Sequence, residues 1–191
     1  MSDCGCGTDQ ADKLERKTLI ILLSINAVMF FAELTLGWVA QSTGLIADSL
    51  DMLADAAVYG LSLYAVGRGI ARQAKAAEFS GYLQIILGFG VLFEVLRRIL
   101  FGSSPESTII VIVGFVALLA NILCLLLIAG HREGGVHMRA SWIFSTNDVI
   151  ANLGIIISGM LVAVTGSRYP DLIIGTAISL IVVRGGLRIL K

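Results

Sequence analysis

The chain has 191 residues and zero formal net charge, and 57% of it is hydrophobic, with a mean hydropathy of +0.88. A soluble domain of this size would expose too much hydrocarbon, so composition excludes an ordinary globular protein and makes the bilayer its solvent. The lack of net positive charge excludes a nucleic-acid binder.

Residues 1–17 are polar and are expected to form a flexible cytoplasmic tail. They contain Cys4-Gly5-Cys6, with Asp3 and Asp9 nearby. Two readings stand: a loose trap for a soft cation, or incidental cysteines on a mobile segment. An odd total of three cysteines argues against a disulfide framework. No small-residue cleavage site follows, so no signal peptide is expected.

Six apolar stretches follow, near Thr18–Ala40, Thr43–Val66, Phe79–Leu100, Thr108–Gly130, Met138–Thr165 and Tyr169–Leu190. Each has about 20 residues or more, enough for an α-helix to cross a hydrocarbon core of about 30 Å. The expected fold is therefore all-α: a polytopic membrane protein with six transmembrane helices across residues 18–191 and no C-terminal cytoplasmic domain. Eleven of the basic residues fall on the side of the two termini and three, Arg97, Arg98 and Arg168, on the other. The positive-inside rule then places both termini in the cytoplasm of a cell (inner) membrane protein.

The first span carries Asn26 and Glu33, seven apart on one face and suited to interhelical hydrogen bonds or, for Glu33, to a water-filled entrance. The second carries Asp48, Asp51 and Asp55. Intervals of three and four put all three on one helical face. Asp48 is near enough to the outer end to be a cap instead. The third span holds Gln84, Gly88 and Gly90, and ends with Glu94 one turn before Arg97 and Arg98, a local ion pair. The fourth holds Asn121 and Cys124, the latter a small packing residue. His131 and His137 fall in the next loop and read as solvated, with metal capture or titration as the alternative.

On the fifth span Asp148 and Asn152 are four apart, and Asn147 lies about 100° round the helix from Asp148. Gly154 and Ser158, like Gly175 and Ser179 on the sixth span, are small-residue pairs that allow close helix packing in lipid. Asp171, just after Pro170, reads as a charge favoured by the dipole at the start of the sixth helix.

A charged side chain at mid-bilayer costs about 2.5–3.5 kcal/mol even on lenient scales, so intramembrane acids are functional by default. If the second and fifth spans pack antiparallel, Asp51 stands level with Asp148, and Asp51, Asp55 and Asp148 converge. Oxygen donors from two helices suit a divalent cation, with Asn147 or water completing the shell. Carboxylates bind metal only when deprotonated, so metal arrival displaces protons.

The run from Asn26 through Glu33 to Gly37, followed by Ala47-Asp48-Ser49-Leu50-Asp51-Met52-Leu53-Ala54-Asp55, resembles the first two helices of the cation diffusion facilitator (cation efflux) family. Phe93-Glu94-Val95-Leu96-Arg97-Arg98 resembles the end of its third helix. Asn147-Asp148 and Tyr169-Pro170-Asp171 resemble its fifth and sixth. The resemblance implies proton-coupled export of divalent metals, with two ligands four apart on each of helices two and five. The matching positions are Asp51, Asp55, Phe144 and Asp148. The usual His-x-x-x-Asp of helix five is here Phe144-x-x-x-Asp148, and a phenyl ring ligates nothing, so the quartet is one short. Asn147, Asn152 or water would fill the gap. Relatives usually add a ferredoxin-like cytoplasmic domain that joins two protomers. Without it, a homodimer must rest on the transmembrane helices.

The expectation is therefore a proton-coupled, alternating-access exporter of zinc or cadmium, not an enzyme and without a cofactor. Its metal ligands are Asp51, Asp55, Asp148 and Asn147. Its partners are divalent metal ions, protons, the lipid bilayer and a second copy of itself, and no nucleic acid. The alternatives are a manganese, iron or cobalt exporter of the same type, a proton-coupled organic cation exporter, and a non-transporting membrane metal sensor.

Overall fold

The computed structural model describes the backbone of residues 6–65, 70–129 and 136–190. It describes the side chains of residues 16–61, 63–64, 78–79, 81–129 and 146–190. Among the described residues all regular structure is helical. The six helices are α1 (Cys6–Val39), α2 (Thr43–Ala65), α3 (Ile70–Phe101), α4 (Ser107–Ala129), α5 (Val136–Thr165) and α6 (Tyr169–Ile189).

Among the described residues, four helices are long and apolar enough to cross a membrane: Arg16–Val39 of α1, α4, Thr146–Thr165 of α5, and α6. Six such spans were expected. α2 is 23 residues long but carries three aspartates, which lower its apolarity. α3 is 32 residues long with charges towards both ends. α1 begins at Cys6, so the backbone of most of the expected tail is helical. Asp9 and Lys13, and Asp12 and Arg16, stand four apart in sequence, a spacing that supports a helix.

Packing makes α2 the centre of the molecule. It touches all five other helices, while α1 pairs with α4, α4 with α5, and α3 with α6. The span with three aspartates is thus the one that every other helix touches, and enclosure by protein is where its aspartates are tolerable in a bilayer. The opposite case is α4, whose Phe115, Val116, Leu119, Leu123 and Leu126 are exposed as a lipid-facing side chain would be.

Close approaches bring the helices together. A Cβ added at Gly175 of α6 would stand 2.8 Å from the backbone of Thr43 in α2. One added at Gly186 would stand 2.7 Å from the carbonyl of Gly81 in α3. Gly90, by contrast, meets no neighbour within 4 Å.

The α1–α2 turn is tied down from several sides. Gln41 sits at a left-handed φ of 50°. Its carbonyl accepts a hydrogen bond from Nη1 of Arg98. Its side-chain oxygen accepts from the backbone N–H of Ser104 at 2.9 Å. Arg98 is itself buried and donates through Nε to Glu94 at 2.7 Å. Arg97 donates to the same carboxylate at 2.6 and 2.7 Å, so the ion pair expected from sequence is present and also braces the turn.

Candidate metal centre

α2 starts with a cap supplied from α6. Ser42 Oγ accepts the backbone N–H of Leu45 at 3.1 Å and donates to Asp171 Oδ1 at 2.5 Å. Asp171 also accepts from the backbone N–H and hydroxyl of Thr43, at 2.6 and 2.8 Å, and from the N–H of Gly44 at 3.1 Å. The sequence reading gave Asp171 to the start of its own helix. Its carboxylate in fact satisfies donors at the start of a neighbouring one, a role visible only once α6 lies beside α2.

Further along α2 the acidic face emerges. Asp51, Asp55, Asn147 and Asp148 all line one cavity of about 820 Å³ between α2, α3, α5 and α6. On α2 its wall runs from Asp51 to Leu61, and on α6 it reaches Arg184 and Arg188, so it extends from mid-bundle towards the end where α2 and α6 finish. Asp148 is buried at 7% exposure, Asp51 and Asp55 are half-buried, and Asn147 is exposed to the cavity side. Asp148 lies against both Asp51 and Asp55, which bridges the two helices although they touch over only a short stretch. Its Oδ2 has no hydrogen-bond partner.

The three carboxyl groups converge but are not closed into a coordination shell. Among the described residues, no group of three or more His, Cys, Asp or Glu side chains is arranged to hold a metal ion as it stands. Like charges at contact repel, and only a cation or protons can draw them together.

Tyr59, four residues after Asp55 and buried at 2% exposure, lies within hydrogen-bonding reach of Asp55. Sequence reasoning passed over it, although the spacing of four was the available signal. The pairing of Glu33 with Asp48 was also missed. Both are fully enclosed, and their carboxyl groups lie against each other between α1 and α2. Asp48 is thus inside the bundle and is not the cap of its helix.

Asn26 glues α1 to α4 as expected, donating to Leu22 O at 2.9 Å and to Cys124 Sγ at 3.8 Å. Cys124 is buried beside Leu22 and Tyr59, a packing position. Asn152 is buried and donates to the carbonyl of Asp148. The side chains of Cys4, Cys6, His131, His137 and Phe144 lie outside the described residues.

Comparison with known proteins identifies the family. The family profile of the cation efflux transmembrane domain matches residues 19–191. The zinc transporter ZitB of Yersinia pseudotuberculosis is 26% identical over 189 residues, covering 92% of this chain and 60% of that protein. The metal cation efflux system protein CzcD of Cupriavidus metallidurans is 23% identical over 176 residues, covering 86% of this chain and 56% of that protein. The vacuolar zinc transporter ZRC1 of Saccharomyces cerevisiae is 32% identical over 136 residues, covering 64% of this chain and 31% of that protein. The chain therefore spans about 60% of the length of the first of these relatives. With a profile match over nearly its whole length and its acids gathered at the heart of a helical membrane bundle, the chain belongs to the cation efflux family.

Proposed function

We propose that this chain exports divalent metal ions, zinc or cadmium first among them, in exchange for protons. The observation that carries the reading is the convergence of Asp51, Asp55 and Asp148 on one cavity wall inside a bundle of apolar helices. Asp51, Asp55 and Asp148 are the ligands, and Asn147, which lines the same cavity, supplies a carbonyl oxygen in place of the missing imidazole. Relatives described as zinc transporters support zinc as the cargo. Residues 18–191 work as one six-helix unit with both termini in the cytoplasm of the inner membrane. Two copies pair through their transmembrane helices.

The cycle follows from charge. The cavity admits a cation from the cytoplasmic end. Binding displaces protons from the carboxyl groups, neutralises their mutual repulsion and lets the bundle rock to expose the ion outside. External protons then compete the ion off and reset the site.

The cavity wall weighs against an organic cation as cargo, since no Phe, Tyr or Trp lines it among the described residues. Hydrophobic cations are held by aromatic faces. A non-transporting sensor is separated by reconstitution: the purified chain alone should carry zinc into vesicles, and a sensor should carry none. The decisive variant is Asp55→Ala, which should abolish zinc uptake into inverted vesicles. Normal flux in that variant ends the site assignment.

A further inference from the structure

We propose that Glu33 and Asp48 form a proton-holding pair, separate from the metal ligands, that gives up one hydrogen ion when a cation reaches Asp51, Asp55 and Asp148. The inference rests on the proton-coupled reading above. The pair bridges α1 and α2, with Glu33 at 0% and Asp48 at 1% exposure. Glu33 reaches across from α1 into the acidic face of α2, yet neither of its oxygens has a hydrogen-bond partner, and Asp48 Oδ2 has none either. Compare Asp171, equally buried, whose carboxylate takes four hydrogen bonds. A structural acid in this molecule is saturated with donors; these two are not.

Two carboxyl groups in contact, with three of their four oxygens unpartnered and no water-exposed face, are compatible with the interior when a proton lies between them. The guest is a proton and not a divalent ion for two reasons. Two carboxyl groups are too few ligands, and no third His, Cys, Asp or Glu joins them among the described residues. Neither side chain lines the cavity by which a hydrated ion would arrive. A proton needs only a chain of acceptors.

Asp51, which lines the cavity, is near enough to act electrostatically on both Glu33 and Asp48, and Asp48 acts likewise on Asp55 and Asp148, so charge arriving at one cluster is felt at the other. The other charged groups near this end of α2 are Asp171 of α6, and Glu94 and Arg98 of α3, all consumed in the bonds at the α1–α2 turn. The buried polar and titratable side chains of α4 are the Asn121 amide and the Cys124 thiol, the latter on the Asp55 side. A divalent cation entering the cavity brings two positive charges; the pair gives up one proton, which leaves for the solvent, and the ligand carboxylates balance the remainder.

The test uses the full chain, purified, with zinc as the probe. Zinc titrations by calorimetry in buffers of different ionisation enthalpy give the protons released per zinc. Glu33→Gln should bind zinc within about threefold of wild type but release about one proton fewer. In vesicles it should keep zinc-for-zinc exchange and lose pH-gradient-driven uptake by about tenfold or more. Asp48→Asn should do the same, and serves if Glu33→Gln does not fold. An unchanged proton count in a folded, zinc-binding variant overturns the proposal. Failure of the wild-type protein to bind zinc would instead overturn the transporter reading.

Discussion

At the start of α2, Asp171 receives four hydrogen bonds from Ser42, Thr43 and Gly44. One to three turns along the same helix, Asp48, Asp51 and Asp55 face other carboxyl groups instead. All four acids sit in the interior of one membrane bundle, and all would be equally costly in lipid. The difference lies in what satisfies them. At the turn, backbone donors freed by the helix start and two hydroxyls neutralise the charge permanently, so the acid is a fastener. Further along, both oxygens of Glu33 and one each of Asp48 and Asp148 find no donor in the fold, and on the proposed function the positive charge comes from outside. On the proposed function, an acid left without donors by its own fold receives something cationic.

Exchanging the roles would break this contrast. The largest effect on stability should come from Asp171→Ala, which strands the donors of Ser42, Thr43 and Gly44 and should cost about 3–5 kcal/mol in denaturant unfolding. Whatever protein still folds should bind zinc nearly as well as wild type. Asp55→Asn should show the opposite pattern, with zinc affinity in calorimetry down about 100-fold, or about 2.7 kcal/mol. Its thermal stability should be unchanged or higher, because one of several repelling groups has gone.

The sign of the pH dependence sharpens the same division. Carboxylates take the metal only after losing their protons, so zinc affinity should fall as pH falls, about tenfold per pH unit for each proton displaced. Titrations at two pH values check this, and an affinity independent of pH would remove the coupling. Gly175→Ala should cost about 1–3 kcal/mol by forcing α6 away from Thr43, measurable as a lowered melting temperature without a specific loss of zinc binding. The smallest effect belongs to Tyr59→Phe. It removes one hydroxyl from beside Asp55 and should weaken zinc binding by no more than about tenfold.

The helical class was legible because apolar runs of spanning length have few alternatives in a bilayer. Asp51, Asp55 and Asp148 were legible because acids within such runs are conspicuous and intervals of four share a face. Their shared cavity rests on the approach of α2 and α5, whose opposite directions follow from the alternation of successive spans across the bilayer. Glu33 was less legible. A single Glu on an apolar span fits a helix glue, an entrance or a partner equally well, and nothing in its own helix says which neighbour it meets. Asp171 misled for a related reason: a charge near Pro170 at a helix start has a sufficient local explanation, so its service to a different helix left no trace in sequence. Cys6–Lys17 was judged by polarity alone, whereas its spacing of opposite charges also permits a helix.

The sequence by itself determined that the chain is a helical membrane protein and which spans carry the acids. Hydrophobic length and helical period are local properties, and each can be counted along the chain. Only the tertiary structure decided that α2 stands at the centre, that Asp148 reaches both Asp51 and Asp55, and that Glu33 turns towards Asp48 while Asp171 fastens Thr43. Those facts depend on which helix lies against which and at what depth. Side-chain contacts across helices settle that, and no periodicity within one helix encodes it.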